Sequence, residues 1–156
     1  MAGLTERRAR PGTRRLTVAS LGAWLLKGDP RHDEIATLLG TGFAGLGTRC
    51  VRPSYRTELV AAGQPVLYWV SGRDPLHPAG LHGQGTVTGP VHVDPDLGPV
   101  LPLHLAPVAP PVLRAELLAH PVLADLEVLR MPAGSNPSYV TGEQLAALRA
   151  GWPQVD

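Results

Sequence analysis

Lys27 is the only lysine in this chain, among fourteen lysine and arginine residues in all. It follows the apolar run Trp24-Leu25-Leu26, which is typical of a half-buried strand, and it precedes Gly28. Asp29 and Pro30 then predict the start of a helix, because Asp caps helices and Pro suits the first helical position. A cation, a glycine and a helix N-terminus at one strand end could bind a polar or anionic group. The simpler alternative is an exposed lysine beside an ordinary strand–helix turn.

Three other segments carry side chains that could recognise a flat heterocycle. They are the arginine-rich junction 49–56, the end of an aromatic strand at 68–71, and the hydroxyl- and amide-bearing stretch 135–139. If these segments meet beside Lys27, they form a cup with aromatic walls and a polar rim. Stacking of a base on an aromatic ring contributes about 1–3 kcal/mol. Ser, Asn and backbone groups can then read the base edge.

The aromatic pair Tyr68-Trp69 also has a simpler interpretation. Neighbouring residues of a strand face opposite sides, so at most one of the two rings can line a pocket. Both rings could instead belong to the core, with the arginines of the junction solvated.

The glycines of segment 40–45 match the G-x-G-x-x-G sequence of dinucleotide-binding folds. That fold requires a strand before the glycines and a helix after them. In this chain a helix is predicted before them and a strand after them. The glycines therefore predict a turn.

No arrangement of residues predicts catalysis. The nucleophile-elbow sequence G-x-S-x-G is absent from the chain, and the acidic residues around the first helix are explained as helix N-terminal acids. The spacing of Asp74, His77 and His82 fits no common metal site. An enzyme that acts through these three residues is the remaining catalytic hypothesis. We therefore expect a protein that is not an enzyme and that needs neither a metal nor a cofactor.

The composition is that of one soluble globular domain. The 156 residues are 44% hydrophobic and 17% charged, and no apolar run approaches the roughly 20 residues that span a bilayer. Cys50 is the only cysteine, which excludes an internal disulfide bond and a cysteine-based zinc site. We expect a cytoplasmic monomer without a membrane partner.

Charge is unevenly distributed along the chain. Residues 1–15 hold five arginines and one glutamate, which predicts a disordered basic arm ahead of a single domain at 16–156. The arm could contact nucleic-acid phosphates, or it could be a solvated extension without function. The rest of the chain has more acidic than basic residues, so it offers no large electrostatic footprint for duplex nucleic acid.

The hydrophobic periodicity predicts short strands mixed with short helices. This mixture, with several glycines that suggest bulges, favours an α+β fold with a small curved sheet or partial barrel and helices outside it. The prolines of 100–106 predict an edge strand, and Thr141-Gly142-Glu143-Gln144 predicts a capping box for the last helix. Strands are predicted over 16–28, 48–52, 65–71, 81–93 (one long strand or a hairpin), 100–106 and 126–131, and helices over 30–39, from 53, over 113–119 and after 141.

In order and spacing, these segments resemble the EVE domain, a member of the PUA-like superfamily that is related to the YTH domain. The resemblance covers residues 22–150. The matching segments are a W-L-x-K-x-x-P strand at 24–30, the junction at 50–55, an aromatic strand at 66–71, a glycine-rich strand at 83–87, an L-x-x-x-P-x-L segment at 117–123, an arginine-containing strand near Arg130, and a capped helix at 140–143.

The resemblance implies a PUA-like pseudo β-barrel of about five to six mixed strands with flanking helices. It also implies a concave pocket that reads a modified or flipped base in DNA or RNA. The pocket residues carried over are Trp24, Lys27, Gly28, Cys50, Arg52, Ser54, Trp69, Ser71, Asn136, Ser138 and Tyr139.

The chain departs from the family pattern at three positions. Pro53 replaces the asparagine that is usual after the junction arginine, Arg49 stands where YTH domains carry tryptophan, and Tyr139 stands where proline is usual. A guanidinium can stack on a base, but it offers less apolar surface to a methyl group. The departures therefore concern the ligand more than the fold.

We hypothesise a non-enzymatic reader of a modified nucleobase. Two residues would stack on the base, Trp69 as the main wall and Trp24 as the second. The residues expected to contact the base edge are Ser54, Ser71 and Asn136. The residues expected to hold phosphates are Lys27, Arg49, Arg52 and Arg56. The alternative is a small-molecule binding module of the same shape, which takes a free nucleoside or another small anion.

Overall fold

The structure, a computed structural model, describes residues 15–156, and this part of the chain folds as one seven-stranded sheet with flanking helices. Residues 1–14, most of the expected basic arm, lie outside the described residues. The strands are β1 (Leu21–Gly28), β2 (Thr48–Cys50), β3 (Pro65–Val70), β4 (Gly80–Val87), β5 (His92–Asp94), β6 (Gly98–Leu113) and β7 (Ser138–Thr141).

The sheet has the order β2-β6-β4-β3-β1-β7, and β5 pairs with β6. Strands β1 and β3 pair in parallel, and the other ladders are antiparallel. With the helices given below, the α+β class is confirmed. Within residues 15–156 no ladder joins the edge strands β2 and β7, so the sheet is open along its hydrogen-bonded path.

The helices of the described part are short and lie between or after the strands. None of them has the length and apolar character required to cross a membrane. The capping box predicted for the last helix is confirmed, because the Gln144 N–H donates to Thr141 Oγ1 at 3.1 Å and the Thr141 N–H donates to Gln144 Oε1 at 2.9 Å. The helices are α1 (Asp33–Gly40), α2 (Arg114–Leu118), α3 (Glu127–Arg130) and α4 (Gly142–Gly151), with 3₁₀ turns at Thr57–Leu59 and Leu123–Asp125.

The first helix begins at Asp33, later than the predicted start at Pro30. The Asp29 carboxylate accepts hydrogen bonds from the backbone N–H of Arg31 at 2.9 Å and from its Nε at 2.9 Å. Asp29 therefore closes a local turn and does not cap the helix. His32 occupies the N-cap position without a side-chain hydrogen bond.

Strands β1 and β3 form the centre of the molecule, and each of their faces is covered. Ala23, Leu25 and Trp69 pack in one apolar cluster with residues of α2, α3 and α4. Trp24 and Tyr68 pack in a second cluster on the other face. The period-2 alternation of a strand explains why neighbours in the sequence belong to different clusters.

Segment 100–106 was predicted as an edge strand, and this prediction is wrong. It belongs to β6, which lies between β2 and β4. In the ladders Pro99 pairs with Val93, Pro102 with Thr48, and Pro107 with Gly83. The carbonyls of Pro99 and Pro102 also accept hydrogen bonds from the N–H groups of Val51 and Thr88, so these prolines take part as acceptors. A missing N–H is harmless where no second strand needs it.

Segment 126–131 was predicted as a strand, and it is the helix α3. Leu126 and Val128 are buried as expected for an apolar run, but short apolar runs do not distinguish a strand from a buried helical turn. The other predicted elements are present with shorter or divided bounds. The strand at 16–28 begins at Leu21, the helix from 53 is a 3₁₀ turn at 57–59, and segment 81–93 divides into β4 and β5.

Candidate binding site at the end of strand β1

The backbone of Lys27 is the point at which the predicted segments meet. Its N–H donates to Asn136 Oδ1 at 2.8 Å, and its carbonyl accepts from Asn136 Nδ2 at 3.2 Å. The pairing of β1 with β7 ends at Leu25 and Ser138, so the Asn136 amide continues the ladder as a peptide group would. Asn136 therefore holds the loop before β7 against the end of β1. Its Oδ1 and its Nδ2 are each already hydrogen-bonded to the Lys27 backbone.

Arg49 also forms a hydrogen bond to the Lys27 carbonyl. Its Nη2 donates to the Lys27 oxygen at 3.4 Å, and its guanidinium carbon lies 5.7 Å from the centre of the Tyr68 ring. Burial raises the pKa of the Tyr68 hydroxyl. The Tyr68 hydroxyl and Arg49 Nε are both buried, and neither has a hydrogen-bond partner among the described residues. Arg49 is thus half-buried against the end of β1, it lines neither of the two cavities described below, and its role as a phosphate contact stays a prediction.

Gly28 and Ser71 complete the packing at this strand end. A Cβ at residue 28 would overlap the Tyr68 hydroxyl, so any larger residue would force that ring or the end of β1 to shift. The Ser71 N–H donates to the Gly28 carbonyl at 2.9 Å, and Ser71 Oγ lies 3.3 Å from the same oxygen. Both residues therefore shape the strand end and neither lines one of the two cavities described below.

The two tryptophans predicted as stacking walls are in the core, and the prediction is corrected. Trp24 is fully buried, and its Nε1 donates to Gln64 Oε1 at 2.7 Å. Trp69 is 3% exposed, on the opposite face of the sheet. The central strands of a sheet covered on both faces expose no ring to a ligand, and neither tryptophan lines a cavity.

Lys27 is also engaged with the protein. Its Nζ donates to the backbone carbonyls of Gly134 and, at 3.4 Å, Pro132. Burial lowers the pKa of the Lys27 ammonium, and the nearby Glu127 carboxylate acts in the opposite direction. Lys27 therefore contacts the loop before Asn136 and lines neither cavity, and its role as a phosphate contact stays a prediction.

Arg56, the third predicted phosphate contact, forms a bidentate ion pair with Glu127. Its Nη1 and Nη2 lie 2.8 Å from the two carboxylate oxygens, and Ser138 Oγ donates to Glu127 Oε1 at 2.8 Å. The guanidinium carbon lies 4.9 Å from the centre of the Tyr139 ring. The charge of Arg56 is thus compensated inside the protein, and Ser138 serves the carboxylate instead of a base.

The ion pair determines the protonation of both partners. Burial opposes ionisation of Glu127, but hydrogen bonds from Arg56 and Ser138 more than offset it, so the pKa of the carboxyl lies below its ordinary value. The hydrogen bonds to Glu127 raise the pKa of Arg56. Sequence reasoning missed Glu127 because its segment was interpreted as a strand. The available signal was a single acid inside the apolar run 126–129.

A cavity of about 370 Å³ opens beside this ion pair, between loop 52–56 and loop 131–137. We call it the smaller cavity. Four residues from the predicted site line it: Arg52, Ser54, Arg56 and Asn136. Cys50 does not; its thiol is exposed and lies 3.9 Å from the Leu97 carbonyl oxygen. The full lining is Arg52, Pro53, Ser54, Tyr55, Arg56, Glu127, Met131, Gly134, Ser135, Asn136 and Pro137.

Arg52 is the fourth predicted phosphate contact, and its guanidinium is exposed. The Arg52 N–H donates to the Asn136 carbonyl at 2.9 Å, which joins the two loops of the smaller cavity. No hydrogen bond or ion pair joins the Arg52 side chain to any other residue between 15 and 156. A free cation, two serine hydroxyls and an aromatic ring at one rim suit a planar, polar or anionic ligand.

A larger cavity of about 660 Å³ is lined by Glu127 but not by Arg56. Glu127 lines both cavities, while Tyr139 lines the larger one, away from Lys27. Within residues 15–156, no three His, Cys, Asp or Glu side chains lie close enough to hold a metal ion. The lining of the larger cavity is Arg15, Leu16, Thr17, Ser20, Pro121, Val122, Asp125, Glu127, Arg130, Tyr139, Thr141, Glu143 and Gln144.

Several solved protein structures are similar in fold to this chain. No protein-family model and no curated protein matches the chain. The NMR structure of Rpa0253 from Rhodopseudomonas palustris has a TM-score of 0.64 at 19% identity, over 87% of this chain and 96% of that one. A hypothetical protein from Leishmania major has a TM-score of 0.63 at 16% identity, over 86% and 96%. PSPTO5229 from Pseudomonas syringae has a TM-score of 0.59 at 19% identity, over 82% and 97%. At these identities the likeness shows the fold alone.

Proposed function

We propose that this protein is a non-enzymatic nucleic-acid-binding module that holds one base, flipped out or in a single strand, in the smaller cavity. The observation that carries the proposal is a hollow between the loops 52–56 and 131–137, which contain parts of the predicted segments 49–56 and 135–139. Its rim bears Arg52, whose side chain has no partner among residues 15–156. A base in such a hollow can be read on its edge by hydroxyls and backbone groups. The phosphate beside it needs a nearby cation.

The resemblance of the sequence to the EVE domain supports the same function. Of the base pocket that it implies, the junction after β2 and the stretch around Asn136 border the smaller cavity, whereas the residues of β1 and β3 do not. On the same ground we propose that the curved sheet is the PUA-like pseudo-barrel of that family. The partner is DNA or RNA that carries a modified base, and the protein is a cytoplasmic monomer.

The proposal predicts weak dependence on salt for the described domain. Lys27, Arg49 and Arg56 are engaged with protein groups, which leaves Arg52 as the phosphate contact at the cavity. Each phosphate neutralised on a single strand contributes a slope of about −0.7 to log K against log salt. Contacts to the base, and not ionic contacts to the nucleic-acid phosphates, must therefore supply most of the affinity of this cavity.

Fluorescence-anisotropy titration of short DNA and RNA strands, each with one modified base, tests the proposal. We expect the wild type to prefer one modification and R52Q to bind it several-fold more weakly. R114Q is the matched control, because Arg114 is exposed and lines neither cavity. Equal weak binding of every strand by all three proteins would exclude the function.

A small-molecule binding module is the second candidate, and the size of the smaller cavity favours it. Its volume of about 370 Å³ lies within the range of about 300–1,000 Å³ that is typical of small-molecule sites. This candidate predicts that free nucleotides bind and that strands with the same base do not, because the cavity cannot accommodate the neighbouring nucleotides of a strand. The same titration, repeated with mononucleotides, distinguishes the two functions.

A further inference from the structure

The aromatic wall that a base would need at the smaller cavity can be identified by elimination among the rings. All seven aromatic residues of the chain lie in the described part. Trp24, Phe43, Tyr68, Trp69 and Tyr139 are each at most 8% exposed. Trp152 is half-buried, but its ring lies 6.0 Å from His120 and lines neither cavity. Tyr55 is half-buried and lines the smaller cavity.

The Tyr55 ring is held in place before any ligand arrives. The Leu16 N–H donates to the Tyr55 hydroxyl at 2.9 Å, and Leu16 itself is buried in the core. The Arg15 guanidinium carbon lies 4.1 Å from the centre of the ring, which is a cation–π contact. Arg15 and Leu16 line the larger cavity, whereas Tyr55 lines the smaller one. A ring that is already fixed loses little conformational freedom when a ligand stacks on it.

The loop that carries Tyr55 is fixed as well. The Arg56 N–H donates to Ser54 Oγ at 3.1 Å, and the Ser54 N–H donates to Thr57 Oγ1 at 3.2 Å. At its start the loop is held by the hydrogen bond from Arg52 to the Asn136 carbonyl. The exposed guanidinium of Arg52 and the Tyr55 ring thus border the same hollow on one short, well-anchored segment.

We propose that Tyr55 is the residue on which the bound base stacks, and that Arg52 holds the phosphate of that same nucleotide. This inference rests on the proposed function and names its ligand unit, which is one nucleotide presented as a base with one phosphate. It assigns the stacking role that sequence reasoning gave to Trp69. It also gives Tyr55 a role beyond that of anchoring the segment at Leu16.

The test uses a single strand that contains 2-aminopurine, a base whose fluorescence falls when it stacks on an aromatic ring. The full-length wild type should quench the probe, and Y55L should lose the quenching and bind about tenfold more weakly, in line with the usual strength of base–aromatic stacking. Y55F keeps the ring but loses the hydrogen bond to Leu16, so it should retain the quenching. A purely anchoring role predicts instead that Y55F is as impaired as Y55L, because both variants lose the hydrogen bond to Leu16.

Controls separate this inference from the function on which it rests. R114Q should behave as the wild type in both readouts. If R52Q weakens binding while Y55L binds and quenches as the wild type does, only the role of Tyr55 is overturned. If the wild type neither binds nor quenches the probe or any modified strand, both proposals are overturned. Y55M, which keeps a long apolar side chain without a π face, replaces Y55L if that variant unfolds at the assay temperature.

Discussion

Two arginines of one loop, Arg52 and Arg56, have opposite environments, although both were predicted to hold phosphates. Arg56 is paired with the buried carboxylate of Glu127 at 2.8 Å and packs over Tyr139. Arg52 is exposed at the rim of the smaller cavity, and its side chain has no partner among residues 15–156. Residue type is the same, so the difference comes from what the loop packs against. Arg56 is expected to serve the fold, and Arg52 is left available to a ligand.

Loss of the Glu127 carboxylate should have the largest effect on stability. E127L leaves the Arg56 guanidinium partly buried without its counter-charge, and breaking a buried pair in this way costs about 3–5 kcal/mol. Urea denaturation should show this loss. R52Q should change the free energy of unfolding by less than about 0.5 kcal/mol, as exposed substitutions usually do. Equal stability losses in the two variants would contradict the comparison.

The packing at the end of β1 should be the next most sensitive. G28A places a Cβ against the Tyr68 hydroxyl, and such overpacking costs about 1–3 kcal/mol. Y68F alone removes a buried hydroxyl that has no partner among the described residues, so it should be nearly neutral. The double variant should recover part of the stability lost in G28A. Additive losses, measured by the same denaturation, would show that the hydroxyl is not the obstacle.

The smallest of these effects should be a difference in acid stability. The folded-state pKa of Glu127 lies below its ordinary value of 4.5, so the unfolded chain binds this proton more readily than the folded chain. The stabilisation is therefore complete above that value and is lost as the pH falls through the lowered folded-state pKa. E127Q should have a flatter profile of unfolding free energy below pH 4.5 than the wild type. Parallel profiles would mean that the carboxylate is not held in its charged form.

Local signals in the sequence were sufficient for the elements that depend on local chemistry. β3 was recognised from a run of β-branched and aromatic residues that Pro65 and Gly72 enclose, and α4 from the reciprocal hydrogen bonds of its capping box. Residue composition also selected segments 49–56 and 135–139, which include most of the two loops that border the smaller cavity. These features need no knowledge of what packs against them.

The features that were missed depend on tertiary contacts. Whether Trp69 is a wall or a core residue depends on the helices that cover the sheet, which its own strand does not specify. The Asn136 amide acts as a ladder partner because the pairing of β1 with β7 ends at Leu25 and Ser138, two residues before Lys27 and Asn136, which is a matter of register. A single acid inside the apolar run 126–129 marks Glu127 as unusual, but its partners Arg56 and Ser138 are visible only in the folded chain. Periodicity contains no information of this kind.

The most direct test of the central claim is an amide NMR titration of the full chain with a short single strand that carries the preferred modified base. We predict that the largest shifts fall on residues 52–56 and 131–136, the two loops that border the smaller cavity. The strand β5 and its turn should remain unchanged. Saturable shifts confined to other parts of the sheet, or no shifts with any modified strand, would contradict the account.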